Sequence, residues 1–176
     1  MLTSVREYYK TGFHNTTTYK YDLTGNLVKQ TDPKSNTMSY SYDAVNRLTT
    51  ITYPDTSTVS YTYDKSGNRL TKTDTGSTAY YTYDAMNRVT NETDRISAVS
   101  YQVIYTYDHA SNILSVKYPD GSTESYSYDA LNRVSNVSTG AVKFTYTVDD
   151  KLSTITYGNG VISTYGYDNR DRPPTS

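Results

Sequence analysis

The sequence contains no cysteine and no tryptophan, and it is poor in aliphatic residues. Without cysteine the chain can form neither a disulfide nor a thiolate metal site. The absence of cysteine does not indicate a cellular compartment, because many exported bacterial proteins also lack cysteine. Leu, Ile, Val and Phe together make up 29 of the 176 residues, which is too few for an ordinary aliphatic core. We therefore expect other side chains to supply the apolar surface.

A charge excess of one sign and long hydrophobic runs are also missing. The formal net charge is -1, which gives no electrostatic reason to expect a nucleic-acid partner. No run of about 18 apolar residues is available to insert into a membrane, and the first residues show no apolar core of a secretory signal peptide. The sequence thus predicts neither nucleic-acid binding nor membrane insertion.

Tyrosine is the abundant apolar residue, with 22 copies. A tyrosine ring buries a large area but needs a hydrogen-bond partner for its hydroxyl, so it suits the half-wet face of a sheet. The tyrosines recur two residues apart, which places both on one face of a strand, and mostly Ser and Thr lie beside them on the other. We call this the tyrosine face, and it comprises the pairs Tyr19 and Tyr21, Tyr40 and Tyr42, Tyr61 and Tyr63, Tyr81 and Tyr83, Tyr105 and Tyr107, Tyr126 and Tyr128, and Tyr165 and Tyr167.

An aspartate follows each tyrosine pair, and the spacing of these aspartates indicates an internal repeat. A degenerate copy at Val148-Asp149 fills the one gap in the series. The intervals of 19 to 24 residues are too short for a strand-helix-strand unit. Each repeat is therefore predicted to be a β-hairpin. The aspartates are Asp22, Asp43, Asp64, Asp84, Asp108, Asp129 and Asp168.

The residues after each aspartate predict a tight turn, which we call the Tyr-Asp turn. An Asp side chain accepts a hydrogen bond from the backbone N–H two residues later. The third residue after the aspartate is Gly, Asn or Ser, and because Gly and Asn tolerate a positive φ, we expect a type I turn that ends in a left-handed residue. Second turns, such as the one that begins at Tyr118, join one hairpin to the next.

The Tyr-Asp turns occur in two alternating forms. One form has Asn four residues after the aspartate, as at Asp64, and the other has Asn three residues after it, followed by Arg, as at Asp43. When the two forms are aligned on their Asn, the first has one extra residue, which predicts a β-bulge in alternate hairpins. The alternation also predicts a structural double unit of about forty residues.

The motif Tyr-x-Tyr-Asp-x-x-Gly-Asn-Arg-Leu-Thr, as in residues 61–71, with Tyr-Pro-Asp-Gly-Ser at 118–122, resembles the YD-repeat or RHS-repeat family. The resemblance covers essentially the whole chain. It implies β-hairpins that wind into a spiralling sheet, which forms a hollow shell around a toxin in bacterial secretion and insecticidal systems and the barrel of teneurin adhesion proteins. It also implies a bacterial chain that acts outside the cell or at its surface.

We therefore expect residues 1–176 to form one all-β array of about eight antiparallel hairpins, which starts and ends in mid-repeat. About sixteen strands at roughly 4.8 Å each would span about 75 Å, and a sheet this wide is expected to coil into an arc, spiral or tube. Its open strand edges favour the addition of further strands. The predicted function is structural: a segment of a β-shell wall, or a filament that assembles from copies of the chain.

No residue is predicted to be catalytic, to ligate a metal or to bind a cofactor. The aspartates serve the turns, and the neighbours Asp149 and Asp150 point apart in one of them. The histidines, His14 and His109, are accompanied by no nucleophile motif. Four arginines follow the turns, where we expect them to stack on tyrosine rings or to pair with the aspartates, with phosphate binding as the alternative. They are Arg47, Arg69, Arg88 and Arg133.

The tyrosine face allows two interpretations. In the structural one, rings from successive hairpins pack in rows and replace an aliphatic core. In the other, coplanar rings open to water bind carbohydrate, which would make the chain a glycan-binding or cell-surface adhesion module.

Overall fold

The computed structural model describes residues 2–8, 14–138 and 142–168. Every helix or strand assigned in this part of the chain is a β-strand. Each strand pairs antiparallel with a sequence neighbour, which confirms the predicted all-β class of repetitive hairpins. The chain divides into two compact units, residues 1–101 and 102–176, and the boundary falls within one strand.

The first unit contains short strands that pair in chain order, from β1 with β2 to β8 with β9. The strands are β1 (Leu2–Tyr8), β2 (His14–Tyr21), β3 (Leu27–Thr31), β4 (Thr37–Tyr42), β5 (Leu48–Thr52), β6 (Thr58–Tyr63), β7 (Arg69–Thr73), β8 (Ser77–Tyr83) and β9 (Val89–Ile96). The tyrosine pairs end the even-numbered strands, so each Tyr-Asp turn leads into an odd-numbered return strand.

The second unit repeats this pattern, and its strands pair from β10 with β11 to β15 with β16. The strand β10 begins in the first unit. The strands are β10 (Val99–Tyr107), β11 (Ile113–Lys117), β12 (Thr123–Tyr128), β13 (Val134–Val137), β14 (Val142–Tyr146), β15 (Leu152–Thr156) and β16 (Ile162–Thr164).

The face opposite the tyrosines carries hydroxyl groups that pair across strands. Thr62 lies between Tyr61 and Tyr63, and its Oγ1 is 2.7 Å from that of Thr71 on the next strand. The same contact recurs in the second unit between Thr106 and Ser115 and between Thr145 and Thr154, each at 2.7 Å. The predicted division into a tyrosine face and a polar face is therefore confirmed for these hairpins.

The described residues contain almost no buried core. Among the residues whose burial the structure describes, only Ala79 and Val116 are buried, each with 7% of its surface exposed. The paired tyrosines from Tyr19 to Tyr128 are half-buried. A thin sheet of this kind gains little from a central core, so contacts between successive hairpins must supply much of its stability.

A β-bulge is present in every Tyr-Asp hairpin that the structure describes, and not in alternate ones. Tyr42 pairs with Leu48 and Tyr63 pairs with Arg69, so the paired residues are six positions apart in both turn forms, each beside a register shift. The other hairpins show the same shift. The prediction of alternate bulges is wrong because the backbone aligns the two forms on their aspartate, whereas the sequence comparison aligned them on Asn.

The degenerate repeat lies two residues earlier than predicted. Tyr146 pairs with Leu152 across the bulged turn, so Thr147 occupies the place of the aspartate. Its Oγ1 accepts the backbone N–H of Lys151 at 3.2 Å. The assignment to Val148-Asp149 is wrong because a threonine hydroxyl can take the place of the carboxylate as acceptor, so the position need not be Asp.

Candidate functional site

The Tyr-Asp turns and the tyrosine rings beside them are the most regular side-chain arrangement in the molecule. In the turn after Tyr42, Asp43 Oδ1 accepts the backbone N–H groups of Val45 at 3.0 Å and Arg47 at 2.9 Å. The third residue after each aspartate has a positive φ, which confirms the predicted left-handed position. These residues and angles are Gly25 (90°), Asn46 (64°), Gly67 (94°), Asn87 (61°), Ser111 (71°) and Asn132 (61°).

The fourth residue after the aspartate binds the other carboxylate oxygen. Arg47 Nε donates to Asp43 Oδ2 at 2.7 Å, and Asn68 Nδ2 donates to Asp64 Oδ2 at 2.9 Å. Asn in one turn form and Arg in the other are therefore alternatives at a single position. The expected pairing of arginine with the turn aspartate is confirmed for Arg47, Arg88 and Arg133.

These hydrogen bonds favour the ionised form of the turn aspartates. The backbone N–H and the guanidinium of Arg47 hold the pKa of Asp43 below its ordinary value. The side-chain amide of Asn68 lowers the pKa of Asp64, and the guanidinium of Arg133 lowers that of Asp129. A carboxylate that stays ionised at neutral pH is a good hydrogen-bond acceptor and a poor general acid.

Successive turns also bond to each other, and the bonds alternate in kind. Asn26 Nδ2 donates to Asn46 Oδ1 in the next turn at 2.8 Å. Arg47 Nη1 then donates to the backbone oxygen of Asp64 at 2.7 Å. The side-chain contacts between turns therefore repeat every two hairpins, whereas the bulges occur in every described Tyr-Asp hairpin. The further contacts are Asn68 to Asn87 at 2.7 Å, Asn112 to Asn132 at 2.9 Å, and Arg133 to the Asp150 carboxylate at 2.6 Å.

The second tyrosine of a pair reaches back to the preceding hairpin. The hydroxyl of Tyr63, on β6, donates to the backbone oxygen of Leu48, on β5, at 2.8 Å. The pairing of β5 with β6 starts only at Thr50. The Tyr63 hydroxyl therefore bonds to the Leu48 carbonyl, which lies beyond the end of the β5–β6 pairing. The other bonds are Tyr42 to Leu27 (2.9 Å), Tyr83 to Arg69 (2.8 Å), Tyr128 to Ile113 (2.9 Å) and Tyr146 to Val134 (2.8 Å).

Arginines of the turns also cover tyrosine rings of the following hairpin. The guanidinium of Arg47 lies 4.8 Å from the ring centre of Tyr63, and that of Arg133 lies 4.3 Å from the ring of Tyr146. Such contacts contribute about 0.5–1 kcal/mol at exposed sites. The predicted stacking of arginine on tyrosine is confirmed at these positions.

Arg69 occupies a different place from the other three arginines. It is one residue beyond the turn position, which Asn68 fills, and it lies on the tyrosine face. Its guanidinium is 4.7 Å from the ring centre of Tyr81 and 6.0 Å from that of Tyr61. Its Nε is buried and makes no hydrogen bond within the described residues. The stacking prediction holds for Arg69, but the alternative of pairing with the turn aspartate does not.

The remaining polar candidates whose side chains the structure describes are exposed. His109 is exposed, and the side chain of His14 lies outside the described residues. Asp149 and Asp150 are both exposed, and Asp150 forms an ion pair with Arg133. Over residues 2–8, 14–138 and 142–168, no three His, Cys, Asp or Glu side chains are grouped to hold a metal ion. The same residues contain no helix with the length and apolarity of a membrane-spanning segment.

The fold has close structural counterparts. The crystal structure of TcdB2-TccC3-TEV superimposes with a TM-score of 0.78 at 18% identity, and the match covers 98% of this chain and 12% of that chain. The structure of the Photorhabdus luminescens Tc holotoxin pore gives a TM-score of 0.76 at 20% identity, over 92% of this chain and 10% of that one. This chain thus spans about a tenth of the length of these proteins. A comparison with curated proteins found no match.

The sequence also matches a family model. The model described as RHS Repeat matches residues 21–58, 42–79 and 107–142. Together these segments span 95 of the 176 residues. They contain the turns that follow Asp22, Asp43, Asp64, Asp108 and Asp129 and the hydroxyl bonds of Tyr42, Tyr63 and Tyr128. The chain belongs to the RHS-repeat family.

Proposed function

We propose that the chain is a structural segment of a wall built from repeated β-hairpins, and that such walls extend by the addition of strands at their edges. The observation that carries this proposal is the contact between successive hairpins of a unit through their turns and their tyrosines. Asn26 bonds to Asn46, and Tyr63 bonds to the Leu48 carbonyl. These contacts lie between repeats, so every added hairpin gains them in full.

The same contacts support self-association of the chain into a filament or tube. Within the described residues, β16 pairs on one side only, with β15. An edge strand with free backbone groups accepts another strand. A second copy, or neighbouring repeats of a longer chain, would continue the array there. An interface that adds the same surface head to tail, without closing, gives an open polymer.

Sedimentation velocity and electron microscopy of the purified chain test this assembly. We expect concentration-dependent oligomers that extend in one direction. Tyr165 N donates inward to Ser153 O, so the N–H of the preceding residue, Thr164, points to the open edge. Thr164→Pro should therefore reduce assembly, whereas Thr164→Ala should not. A chain that stays monomeric at all concentrations, or assembly that is unaffected by Thr164→Pro, would contradict the proposal.

We also propose that this segment acts outside a bacterial cell and carries no catalytic activity of its own. The support is membership of the RHS-repeat family and the fold shared with Tc toxin proteins. Fractionation of producing cells should place the chain in the medium or on the cell surface. Recovery from the cytosol alone would refute the localisation, while the structural role would remain open to the assembly test.

Carbohydrate binding is a second candidate because some tyrosines remain open to water. Tyr118, Tyr165 and Tyr167 have exposed fractions of 38%, 41% and 36%. Exposed aromatic rings offer a flat apolar surface with a polar rim. A glycan array would detect this activity, and the double substitution of Tyr165 and Tyr167 by Ala should abolish it without unfolding the chain. Binding that persists in this variant would place the activity elsewhere.

A further inference from the structure

One place on the tyrosine face combines three rings with a carboxylate. Tyr105, Val116 and Glu124 are Cα partners across β10, β11 and β12, so their side chains lie in one row on one face. Tyr126 and Tyr118 follow Glu124 and Val116 by two residues. Val116 is 7% exposed and forms a buried floor. We call these five residues the Glu124 cluster.

The carboxylate of this cluster has phenolic partners and no cation. Tyr126 donates its hydroxyl to Glu124 Oε2 at 2.8 Å, and the Tyr118 hydroxyl is 3.4 Å from the same oxygen. Within the described residues, no Lys or Arg forms an ion pair with Glu124, and no hydrogen bond reaches Oε1. Lys117 follows Val116 directly and so lies on the opposite face.

Ionisation of the two tyrosines that contact Glu124 is disfavoured. The hydrogen bond to Glu124 raises the pKa of Tyr126 to about 12, and burial followed by the charge of Glu124 raises that of Tyr118. Both phenols therefore stay protonated at neutral pH. The cluster therefore places the Glu124 carboxylate beside aromatic rings, whose faces carry a negative electrostatic potential.

A matching ligand carries one positive charge on an apolar surface. A bare ammonium ion is strongly hydrated, whereas a quaternary ammonium ion exposes methyl groups that pack on rings and on a valine floor. We propose that the Glu124 cluster binds a small quaternary ammonium ion of the choline class. The ligand supplies the cation that the Glu124 carboxylate lacks. Because Asp120 lies near Tyr118, a ligand that also carries a phosphate is repelled.

The first unit contains a matched site that lacks the carboxylate. Tyr40, Ile51 and Val59 are Cα partners across β4, β5 and β6, and Tyr53 and Tyr61 follow at the same offsets as Tyr118 and Tyr126. This Val59 row has the three rings and an aliphatic floor but no carboxylate, and the Arg69 guanidinium lies 6.0 Å from the ring centre of its Tyr61. A substitution in the Val59 row therefore tests binding by rings without a carboxylate, and a substitution of Glu124 tests the need for the carboxylate.

Ligand-observed saturation-transfer NMR on the full chain measures this binding whether the chain is monomeric or assembled. Choline chloride is titrated at constant ionic strength and compared with its neutral isostere 3,3-dimethylbutan-1-ol and with phosphocholine. We expect a dissociation constant for choline on the order of 1 mM and binding of both comparison ligands at least about fivefold weaker. Equal binding of the neutral isostere, or no saturable choline signal, would overturn the proposal.

Substitutions then assign the site. Glu124→Gln keeps an acceptor for the Tyr126 hydroxyl and removes the charge, so it should weaken choline binding about fivefold. Tyr53→Leu, in the Val59 row, should leave the affinity unchanged. Circular dichroism confirms that both variants are folded. Unchanged binding in Glu124→Gln, or an equal loss in Tyr53→Leu, would show that the carboxylate does not define a site.

Discussion

The hydroxyl of Tyr63 provides the sharpest test of how successive hairpins hold together. Tyr63→Phe removes one oxygen, keeps the ring under the Arg47 guanidinium, and leaves the Leu48 carbonyl without its 2.8 Å bond. The net value of such a bond is about 1 kcal/mol. We therefore expect the free energy of unfolding to fall by about that amount. Tyr42, Tyr83, Tyr128 and Tyr146 make the same kind of bond.

Tyr61→Phe is the matched control, because Tyr61 lies two residues earlier on the same strand and face and its hydroxyl has no hydrogen bond in the described part of the chain. This variant should change stability by no more than about 0.5 kcal/mol. Urea denaturation followed by circular dichroism gives both values, and native-state hydrogen exchange shows whether the loss is centred on β5 and β6. Equal destabilisation by the two variants would refute the inferred role of the hydroxyl bond.

Two further predictions concern the turns. Thr56 has a φ of 69°, a costly conformation for a β-branched residue, and Gly121 takes the same place in the turn after Tyr118. Thr56→Gly should therefore stabilise the folded protein by about 0.5–1 kcal/mol, and Gly121→Thr should destabilise it by about 1 kcal/mol, as measured by calorimetry. Changes of the opposite sign would contradict the inferred backbone strain at Thr56. The folded-state pKa values of Asp43 and Asp129 are lowered, so their contribution is complete above the unfolded pKa of about 3.9 and is lost as the pH falls through the folded pKa. The melting temperature should therefore be flat from pH 7 to about pH 5 and drop below about pH 4, and a profile that stays flat down to pH 2 would disprove the role of the carboxylates.

The sequence predicts the local structure well because the relevant rules act over few residues. The period-two tyrosines determine the strands, and the Asp residues with Gly or Asn three positions later determine the turns. The error at Val148-Asp149 arose because the search followed a carboxylate, whereas the backbone needs only an acceptor, which Thr147 supplies.

The contacts between hairpins were harder to predict, because they depend on which residues the backbone superimposes. Alignment on Asn hid the equivalence of Asn68 and Arg47, and it therefore placed Arg69 with the turn arginines. The Glu124 cluster was also missed. Its signal was the charged residue at the position that Val59 and Met38 occupy in other repeats.

The alternation of Asn and Arg contacts between turns restricts how such genes can change in length. In one turn form Asn46 offers an amide oxygen to the preceding Asn26, whereas the other form has Gly25, Gly67 or Ser111 at that position, none of which has a side-chain amide oxygen. Loss or duplication of a single hairpin would place two turns of the same form next to each other and break this complementarity. Unequal recombination that removes or inserts two hairpins together preserves it, so RHS arrays of this type should evolve in even steps.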